Sequence, residues 1–472
     1  MTNEELNTLS EEVREEGLHQ GNSMKDLVFN PVTGDFEQVP RGTYRGPGDV
    51  VTEMTEKGFA AAETDEIVCL REDEVRQAED MLVYDTTASA YVTKKEEGVF
   101  HLRLSPEKGF VPAALFTKSH DLLKNNPASG DKEFIIVLEN GSARAFHRTD
   151  DWRETQLMFI PSEDNLFSRS KGILEVSVLK DKRALIVGLG SFGSQIAIEL
   201  AKAGVGHFVL MDFDRVEPHN LPRHTGTIHD LGRLKTNVIE EAILGKNPYA
   251  QITKYPVNIN EHLALFYAEV EKADLVICAT DNNPSRFNIS KALVEKGKVG
   301  IFGRAFTRAE GGDVFRYRPG GPCYCCLVGS GNLYEEEITN VASARRDGRI
   351  AAYVSEEDAD AMVQVGLSSD IEPICNMMVK LSLVELSRGT ESGIACLEKE
   401  LSSDYYIWAN RRERHFANWK QFPGAGGMPT ILRWYGAHIA KEEGCPICSD
   451  RMILDDDTSV ISGLDDIEVD IA

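Results

Sequence analysis

Apolar and polar positions alternate in blocks through the middle of the chain. An apolar run covers Ala184 to Val187 and a glycine-rich turn covers 188–193. Ile196 and Leu200 then recur at helical spacing before a second apolar run, Phe208 to Met211. Short apolar runs bounded by turn residues are typical of buried strands, whereas a spacing of three to four residues is typical of a helix. We therefore predict a strand, a glycine turn, a helix and a second strand, the order of a nucleotide-binding βαβ unit.

The glycine turn has the spacing of a phosphate-binding loop. Gly188 allows the tight turn, Gly190 lets a ligand approach the backbone, and Gly193 permits close packing of the helix. The helix that follows offers free N–H groups and the positive end of its dipole to a phosphate. Asp212 ends the second apolar run, where a carboxylate can hold ribose hydroxyls.

A GxGxxG turn alone fits nicotinamide, flavin and ATP enzymes alike, so the charged residues after it decide between them. A dinucleotide has only a pyrophosphate to neutralise, and the helix N-terminus largely does that. A triphosphate with Mg²⁺ needs further cations and a carboxylate for the metal. Asn220, Arg223 and Lys235 follow the second run closely, and Asp281 closes a later apolar run that begins at Leu275. This set favours ATP.

The remaining pattern divides the chain into regions. Residues 1–60 are polar and contain several prolines and glycines, so we expect a short acidic helix and an irregular segment. Residues 61–160 carry short apolar runs, which predict a small α+β domain. Residues 161–450 hold the nucleotide unit and a long polar connection at 327–370. Residues 451–472 form an acidic tail that we expect to be disordered.

Composition disfavours several classes of protein. The 472 residues include 76 acidic and 51 basic side chains, giving a formal net charge of −25, which disfavours nucleic-acid binding. No apolar run is long enough for a transmembrane helix, and the acidic N-terminus does not resemble a signal peptide. We therefore expect a cytoplasmic protein without a membrane partner. Its nine cysteines should serve metal binding or thiol chemistry before disulfides.

Four of these cysteines form two C-x-x-C pairs. Cys323 and Cys326 make up the first pair, and Cys445 and Cys448 lie far downstream. Together they supply four thiolates, the ligand set of a closed, structural Zn²⁺ site. A redox pair is the weaker alternative, because neither motif opens a helix after a strand in a thioredoxin-like unit.

Five motifs, taken in order, resemble those of the ThiF/MoeB/ubiquitin-activating-enzyme superfamily. They are LMDFDRVEPHNLPRH, LGRLKTN, CATDNNPSRFN, GPCYCC and GCPIC. The resemblance runs from about Arg169 to Cys448. It implies an α/β fold with a Rossmann-like, doubly wound, mostly parallel sheet and a structural zinc knuckle, beside the smaller N-terminal domain. By analogy with two-lobed activating enzymes, residues 61–160 could be a degenerate second adenylation half.

The resemblance also implies roles for individual residues. Gly190 and Ser191 would lie at the phosphates, Asp212 would hold the ribose, and Asp281 would bind Mg²⁺. The residues implied to bind the triphosphate are Asn220, Arg223 and Lys235. The implied nucleotide site as a whole is Gly188, Gly190, Ser191, Phe192, Gly193, Asp212, Asp214, Asn220, Arg223, Lys235, Asp281, Asn282 and Arg286.

Three of the charged residues keep alternative interpretations. Asp214 could bind Mg²⁺, order its loop or be a surface aspartate. Arg286 could approach a phosphate or pair with a carboxylate such as Asp281. Arg169 could reach into a partner subunit's active site as an arginine finger, which would make the protein a homodimer, or be an ordinary exposed arginine.

The chain departs from the superfamily in its thiols. Relatives often carry a reactive cysteine in the crossover after the first zinc pair, yet 327–370 contains no cysteine. The candidates that remain are Cys396, Cys375 and Cys325. Cys375 follows Pro373 at the expected start of a helix, where the dipole would favour the thiolate, although burial in the core is an equal alternative.

The resemblance implies ATP-dependent adenylation of the C-terminal glycine of a small ubiquitin-like (β-grasp) protein, with release of pyrophosphate. A thioester and transfer to a conjugating enzyme would follow, as in bacterial anti-phage conjugation systems of the Bil type. Two alternatives stay open: a sulfur-carrier activator of the MoeB/ThiF kind, and a degenerate, non-enzymatic fold that acts as a binding partner. Intact Arg223, Lys235 and Asp281 argue against the last.

Overall fold

The chain is described by a computed structural model that divides into two units, residues 1–162 and 163–472. The described residues are 66–104, 110–124, 130–139, 142–329, 366–412, 416 and 430–449, with the backbone of 25–29 and 36–40. The predicted acidic helix before residue 25, most of the 327–370 connection and the 451–472 tail lie outside them.

An antiparallel hairpin occupies part of the N-terminal segment that we expected to be irregular. Strand β1 (Lys25–Phe29) pairs along its whole length with β2 (Phe36–Pro40). The two paired strands show that the prediction of an irregular segment is wrong for residues 25–29 and 36–40.

Seven strands of the first unit close into a barrel in the order β3-β5-β4-β6-β7-β8-β9. Their bounds are β3 Ile67–Arg71, β4 Thr87–Glu96, β5 Val99–Arg103, β6 Ala114–Thr117, β7 Phe134–Glu139, β8 Ser142–Arg148 and β9 Trp152–Ile160. One helix, α1 (Glu72–Met81), follows β3 directly. Closure depends on β3, which pairs in parallel with both β5 and the distant β9.

Alternate barrel residues point inward and form one core that includes Val68, Phe100, Phe134 and Ala145. One of the apolar runs of this region, Met81 to Tyr84, lies at the end of α1 and in the turn after it, not in a strand. A closed barrel differs from the open sheet of the second unit, and the idea of a degenerate second adenylation half stays a prediction.

The second unit is built on an eight-stranded sheet in the order β12-β11-β10-β13-β14-β15-β16-β17. Its strands are β10 Arg183–Val187, β11 His207–Met211, β12 Gln251–Tyr255, β13 Leu275–Cys278, β14 Gly300–Ala305, β15 Gly311–Tyr317, β16 Tyr405–Ala409 and β17 Arg433–Ala437. The first five strands in this order are mutually parallel, and the last three are antiparallel to their neighbours.

Helices cover both faces of this sheet. They are α2 Glu163–Leu166, α3 Val176–Leu179, α4 Ser191–Ala203, α5 Lys235–Leu244, α6 Leu263–Lys272, α7 Asn283–Lys296, α8 Tyr324–Val328, α9 Ser368–Leu386 and α10 Leu397–Glu400. None of the described helices combines the length and the apolar character that a membrane span requires.

Successive residues of β10 pack alternately into two separate hydrophobic cores. Ala184 and Ile186 pack with α4, α5 and α9 on one face, whereas Leu185 and Val187 pack with α6, α7 and the paired cysteines on the other. This double burial explains the continuous apolar run in the sequence. The predicted α/β class with a mixed, largely parallel sheet is confirmed.

Strand order places a crevice at the carboxyl ends of β10 and β13. The chain proceeds from β10 to β11 and β12 on one side, then returns to β13 and β14 on the other. Ligands of open α/β sheets bind outside the carboxyl ends of the strands at such a switch point. The glycine turn follows β10, and Asp281 follows β13, so both lie at this point.

Candidate functional site

Two glycines of the turn are required by its geometry. Gly188 has φ of +85°, and a Cβ there would lie 2.7 Å from the carbonyl oxygen of Ala279, in the loop after β13. A Cβ on Gly193 would lie 1.8 Å from the carbonyl oxygen of Gly188. Gly190 instead has open space around its Cβ position and precedes the first residue of α4. The turn therefore leaves room above the free N–H groups of a helix that starts here.

Phe192, by contrast, packs against the apolar core beneath the turn. Its side chain is only partly buried and lies in the first turn of α4. Ser191 beside it is half-buried.

Asp212 braces the turn. One carboxylate oxygen accepts the Leu189 N–H at 2.6 Å, and the other accepts the Asp214 N–H at 2.7 Å. Burial raises the pKa of Asp212, while Lys235 and the two backbone N–H groups lower it. Each oxygen keeps a second lone pair, so ribose binding is compatible with this bracing role.

His224, which no sequence motif singles out, also contacts the glycine turn. Its Nε2 lies 2.9 Å from the carbonyl oxygen of Leu189, and its Nδ1 lies 2.8 Å from the N–H of Gly226. The ring is buried beside Arg223. The sequence offers one signal for His224, its position next to Arg223, because a lone histidine has no motif of its own.

Three of the predicted triphosphate ligands surround this turn. Lys235 is buried at the start of α5, and its ammonium donates to the Asp214 carboxylate at 2.8 Å. Among the described residues, no acidic group pairs with the guanidinium of Arg223, whose pKa burial lowers. The side-chain oxygen of Asn220 accepts the N–H of Glu217 at 3.0 Å, so this amide caps its own turn.

Arg223 also lines a polar cleft of about 570 Å³. The cleft lies between the outer face of α4 and the first half of α9, with Gln195, Glu199 and Glu372 on its walls. A free cation in an open cleft is available to an anionic ligand.

Asp281 is exposed beyond β13, and its only side-chain contact within the described part of the chain is a 3.4 Å approach from the amide of Asn282. Asn282 caps α7 by accepting from the N–H of Ser285 at 3.0 Å. Arg286 donates to the carbonyl oxygen of Thr280 at 2.8 Å, so it braces the loop rather than pairing with the Asp281 carboxylate. The carboxylate is thus free to bind a cation.

The four paired cysteines converge on one buried point. Their sulfur atoms all lie within 4.8 Å of one another, with separations of 3.9 Å for Cys323–Cys326, 3.5 Å for Cys323–Cys445 and 3.4 Å for Cys326–Cys448. These distances are far longer than a disulfide bond of about 2.05 Å, and all nine cysteines are free. The two pairs are far apart in sequence, and the sheet brings them together. The first pair follows β15 and the second follows β17.

The three candidate thiols differ in access. Cys375 is buried, and burial raises the pKa of its thiol to about 12. Helix α9 begins at Ser368, well before Cys375, so the predicted position at a helix N-terminus is wrong. Pro373 lies within the helix instead of starting it. Cys325 is also buried, whereas Cys396 is exposed.

Arg169 and Cys396 lie at the opposite end of the sheet from the glycine turn. Arg169 is exposed next to Phe167, whose ring lies 3.6 Å from the Cβ position of Gly204 at the end of α4. Ile394, near Cys396, donates its N–H to Ile173 in the same segment. Helix α4 rises about 20 Å over its length, so neither side chain reaches the turn of its own chain.

The fold and this edge of the sheet define a Rossmann-like α/β domain, and comparison with known proteins shows which family this region resembles. The ThiF family matches residues 163–390. Over 153 residues the chain is 40% identical to the molybdopterin-synthase adenylyltransferase of Escherichia coli (strain K12), covering 32% of this chain and 59% of that protein. Over 155 residues it is 34% identical to the sulfur carrier protein adenylyltransferase of Thermus thermophilus, covering 32% of this chain and 56% of that protein. Residues 163–390 therefore match the ThiF family, and the predicted resemblance to the ThiF/MoeB/ubiquitin-activating-enzyme superfamily is confirmed over this region.

The chain spans less than two thirds of the length of these curated relatives. Among solved structures, it is similar to E. coli MccB with a TM-score of 0.42 and 18% identity, covering 58% of this chain and 67% of that one. A likeness of that size carries no argument about function.

Proposed function

We propose that this chain is an adenylyltransferase that uses Mg-ATP to activate the C-terminal carboxylate of a small protein. The observation that carries the proposal is the convergence of the glycine turn, two cations and a free carboxylate at one switch point. The names of the relatives, which are adenylyltransferases, support the same reaction class.

Each group has a defined task in this proposal. The open N–H groups above Gly190 and the start of α4 bind phosphate oxygens, and Asp212 accepts a ribose hydroxyl. Arg223 and Lys235 offset the charge that grows on the leaving pyrophosphate. Asp281 holds Mg²⁺, which when bound neutralises phosphate charge and orients the triphosphate.

The reaction requires little acid–base chemistry. A carboxylate oxygen of the small protein attacks the α-phosphorus of ATP, the bond between that phosphorus and the bridging oxygen breaks, and pyrophosphate leaves with the electron pair. The product is an acyl-adenylate. Because a carboxylate is already a nucleophile at neutral pH, positioning supplies most of the rate.

The nature of the small protein is a finer proposal. A ubiquitin-like, glycine-ended protein passed on to a conjugating enzyme, as in an anti-phage system, is the first candidate. The sulfur-carrier alternative is favoured by two observations. The relatives act on molybdopterin synthase and a sulfur carrier by name, and no accessible thiol in the described residues adjoins the glycine turn of its own chain. A degenerate, non-enzymatic fold is disfavoured by the free carboxylate of Asp281 and by the guanidinium of Arg223, which has no acidic partner among the described residues.

We further propose that the cysteine cluster binds structural Zn²⁺. Zn–S bonds of about 2.3 Å would separate tetrahedral sulfur atoms by about 3.8 Å, and the three separations of 3.4 to 3.9 Å fit this geometry. Four buried thiols without a disulfide are otherwise difficult to account for.

A homodimer is the remaining proposal. Arg169 is exposed at the end of the sheet opposite its own glycine turn, so a finger role would require a second copy of the chain. Otherwise it is an ordinary surface arginine.

The direct test is ATP–pyrophosphate exchange with purified full chain and a panel of small glycine-ended proteins. We expect exchange that depends on both Mg²⁺ and the small protein. A subsequent chase distinguishes transfer to a conjugating-enzyme cysteine from formation of a thiocarboxylate. Binding of a nicotinamide cofactor, or no pyrophosphate release with any such protein, would overturn the proposal.

A further inference from the structure

Leu189 lies between Gly188 and Gly190 in the glycine turn, and both its N–H and its carbonyl group make hydrogen bonds to side chains. Its N–H donates to Asp212 at 2.6 Å, and its carbonyl oxygen lies 2.9 Å from Nε2 of His224. The side chain of Leu189 is fully buried. The position of this residue therefore depends on two polar side chains that come from different segments.

The hydrogen bonds fix the tautomer of His224. The N–H of Gly226 donates to Nδ1 at 2.8 Å, so Nδ1 must carry a lone pair and no proton. The proton is then on Nε2, and Nε2 can donate to the carbonyl oxygen of Leu189, which can only accept. A neutral ring with the proton on Nε2 is the one form that satisfies both bonds.

Gly226 supports this interpretation independently. A Cβ at this position would lie 2.9 Å from Nδ1 of His224 and 3.3 Å from a methyl group of Val238, in the helix that Lys235 begins. The close approach of backbone and ring thus requires glycine.

The ring also anchors the turn that carries Arg223. The N–H groups of Arg223 and His224 both donate to the carbonyl oxygen of Asn220, at 2.9 and 2.8 Å. A displacement of the ring would therefore move the backbone of Arg223 and the carbonyl of Leu189 together.

We propose that His224 is a positioning residue that couples the glycine turn to the Arg223 turn, so that both present their phosphate-binding groups in one arrangement. This role rests on the proposed binding of ATP at that edge. His224 itself touches no reacting atom.

The test compares His224→Gln with His224→Leu in the full chain. Glutamine retains an N–H donor for Leu189, whereas leucine retains none. We expect His224→Leu to raise the KM for ATP at least tenfold with kcat changed less than threefold, and His224→Gln to recover most of the loss. His229→Gln, an exposed histidine nearby, is the matched control and should leave KM unchanged. An unchanged KM in His224→Leu, or no recovery in His224→Gln, would overturn the proposal.

A second measurement needs no variant. Nitrogen chemical shifts of ¹⁵N-histidine-labelled wild-type protein report which ring nitrogen carries the proton. We expect one buried ring protonated on Nε2 alone at pH 7.5, and its shift should respond to MgATP. Protonation on Nδ1 would contradict the coupling. If wild-type protein binds no nucleotide, the proposed function fails, and the tautomer still shows whether the bracing exists.

Discussion

The ammonium of Lys235 lies 2.8 Å from the carboxylate of Asp214, and the two side chains differ in exposure. Lys235 is 8% exposed and Asp214 is 48% exposed. Lys235 is predicted to bind the triphosphate and Asp214 is a candidate Mg²⁺ ligand, and their side chains form an ion pair. Binding of a triphosphate would supply a second set of negative charges to a lysine that already has one partner.

This asymmetry gives opposite predictions for the two substitutions. Lys235→Met removes the cation that should contact phosphate and fits an apolar surrounding, so we expect kcat/KM for ATP to fall about a hundredfold, or ~2.7 kcal/mol, with little change in melting temperature. Asp214→Asn leaves a buried ammonium without its anion and should destabilise the protein by about 1–2 kcal/mol, a value discounted for the exposure of Asp214.

Thermal unfolding with and without MgATP checks both predictions. The nucleotide should stabilise Asp214→Asn more than wild type, because it replaces the lost anion, and should barely stabilise Lys235→Met. Equal stabilisation of Lys235→Met and wild type would show that Lys235 does not contact the nucleotide.

Asp281→Ala should abolish ATP–pyrophosphate exchange. The carboxylate is exposed at the switch point and has no ion-pair partner among the described residues, so its loss removes the proposed metal ligand and little else. Retention of more than about a tenth of the activity would correspond to a loss of only ~1.4 kcal/mol, too small for an essential ligand. Asp164→Ala, an exposed aspartate in α2, is the control and should keep full activity.

Much of this edge of the sheet could be predicted because its signals are local. The runs at Ala184, Phe208 and Leu275 correspond to strands that are buried on both faces, and such strands need no alternation to be recognised. The glycine spacing and the C-x-x-C spacing are also properties of a few neighbouring residues.

The features that escaped prediction depend on distant partners. The barrel closes through pairing of Ile67 with Gln156, which no local pattern encodes. His224 gains its role from the carbonyl of Leu189, far away in sequence. The sequence predicts a helix start near Pro373, but α9 begins at Ser368 and contains the proline.

The cysteine cluster should bind one Zn²⁺ per chain in purified protein. Cys448→Ser removes one of four buried ligands, so we expect loss of the metal and a markedly lower melting temperature. Cys396→Ser changes the exposed thiol and should leave both metal content and stability unchanged. Metal analysis and thermal unfolding of the two variants make the comparison. Full zinc content in Cys448→Ser would show that the four sulfur atoms are not the ligands.

Lowering the pH should decrease the free energy of unfolding, because His224 is protonated more easily in the unfolded chain. Burial lowers the pKa of its imidazole from 6.5, with a further contribution from Lys235, while the bond to Leu189 and the charge of Asp230 oppose this shift. The unfolded chain therefore takes up the proton first as pH falls. The stabilisation by neutral His224 is fully present above about pH 6.5 and is lost as pH falls from there towards the depressed pKa.

Comparing wild type with a variant that cannot titrate at position 224 separates the contribution of His224 from those of the other histidines. We expect the difference in urea midpoint between wild type and His224→Gln to be largest at pH 7.5 and to shrink steadily down to pH 5. Measurements on His229→Gln provide the control, because an exposed ring should give a difference near zero at every pH. A difference for His224→Gln that stays constant would mean that folding leaves the pKa of this imidazole unchanged, and a difference that grows as the solution becomes more acidic would mean that folding raises it. Either outcome would contradict a buried ring that folding keeps neutral.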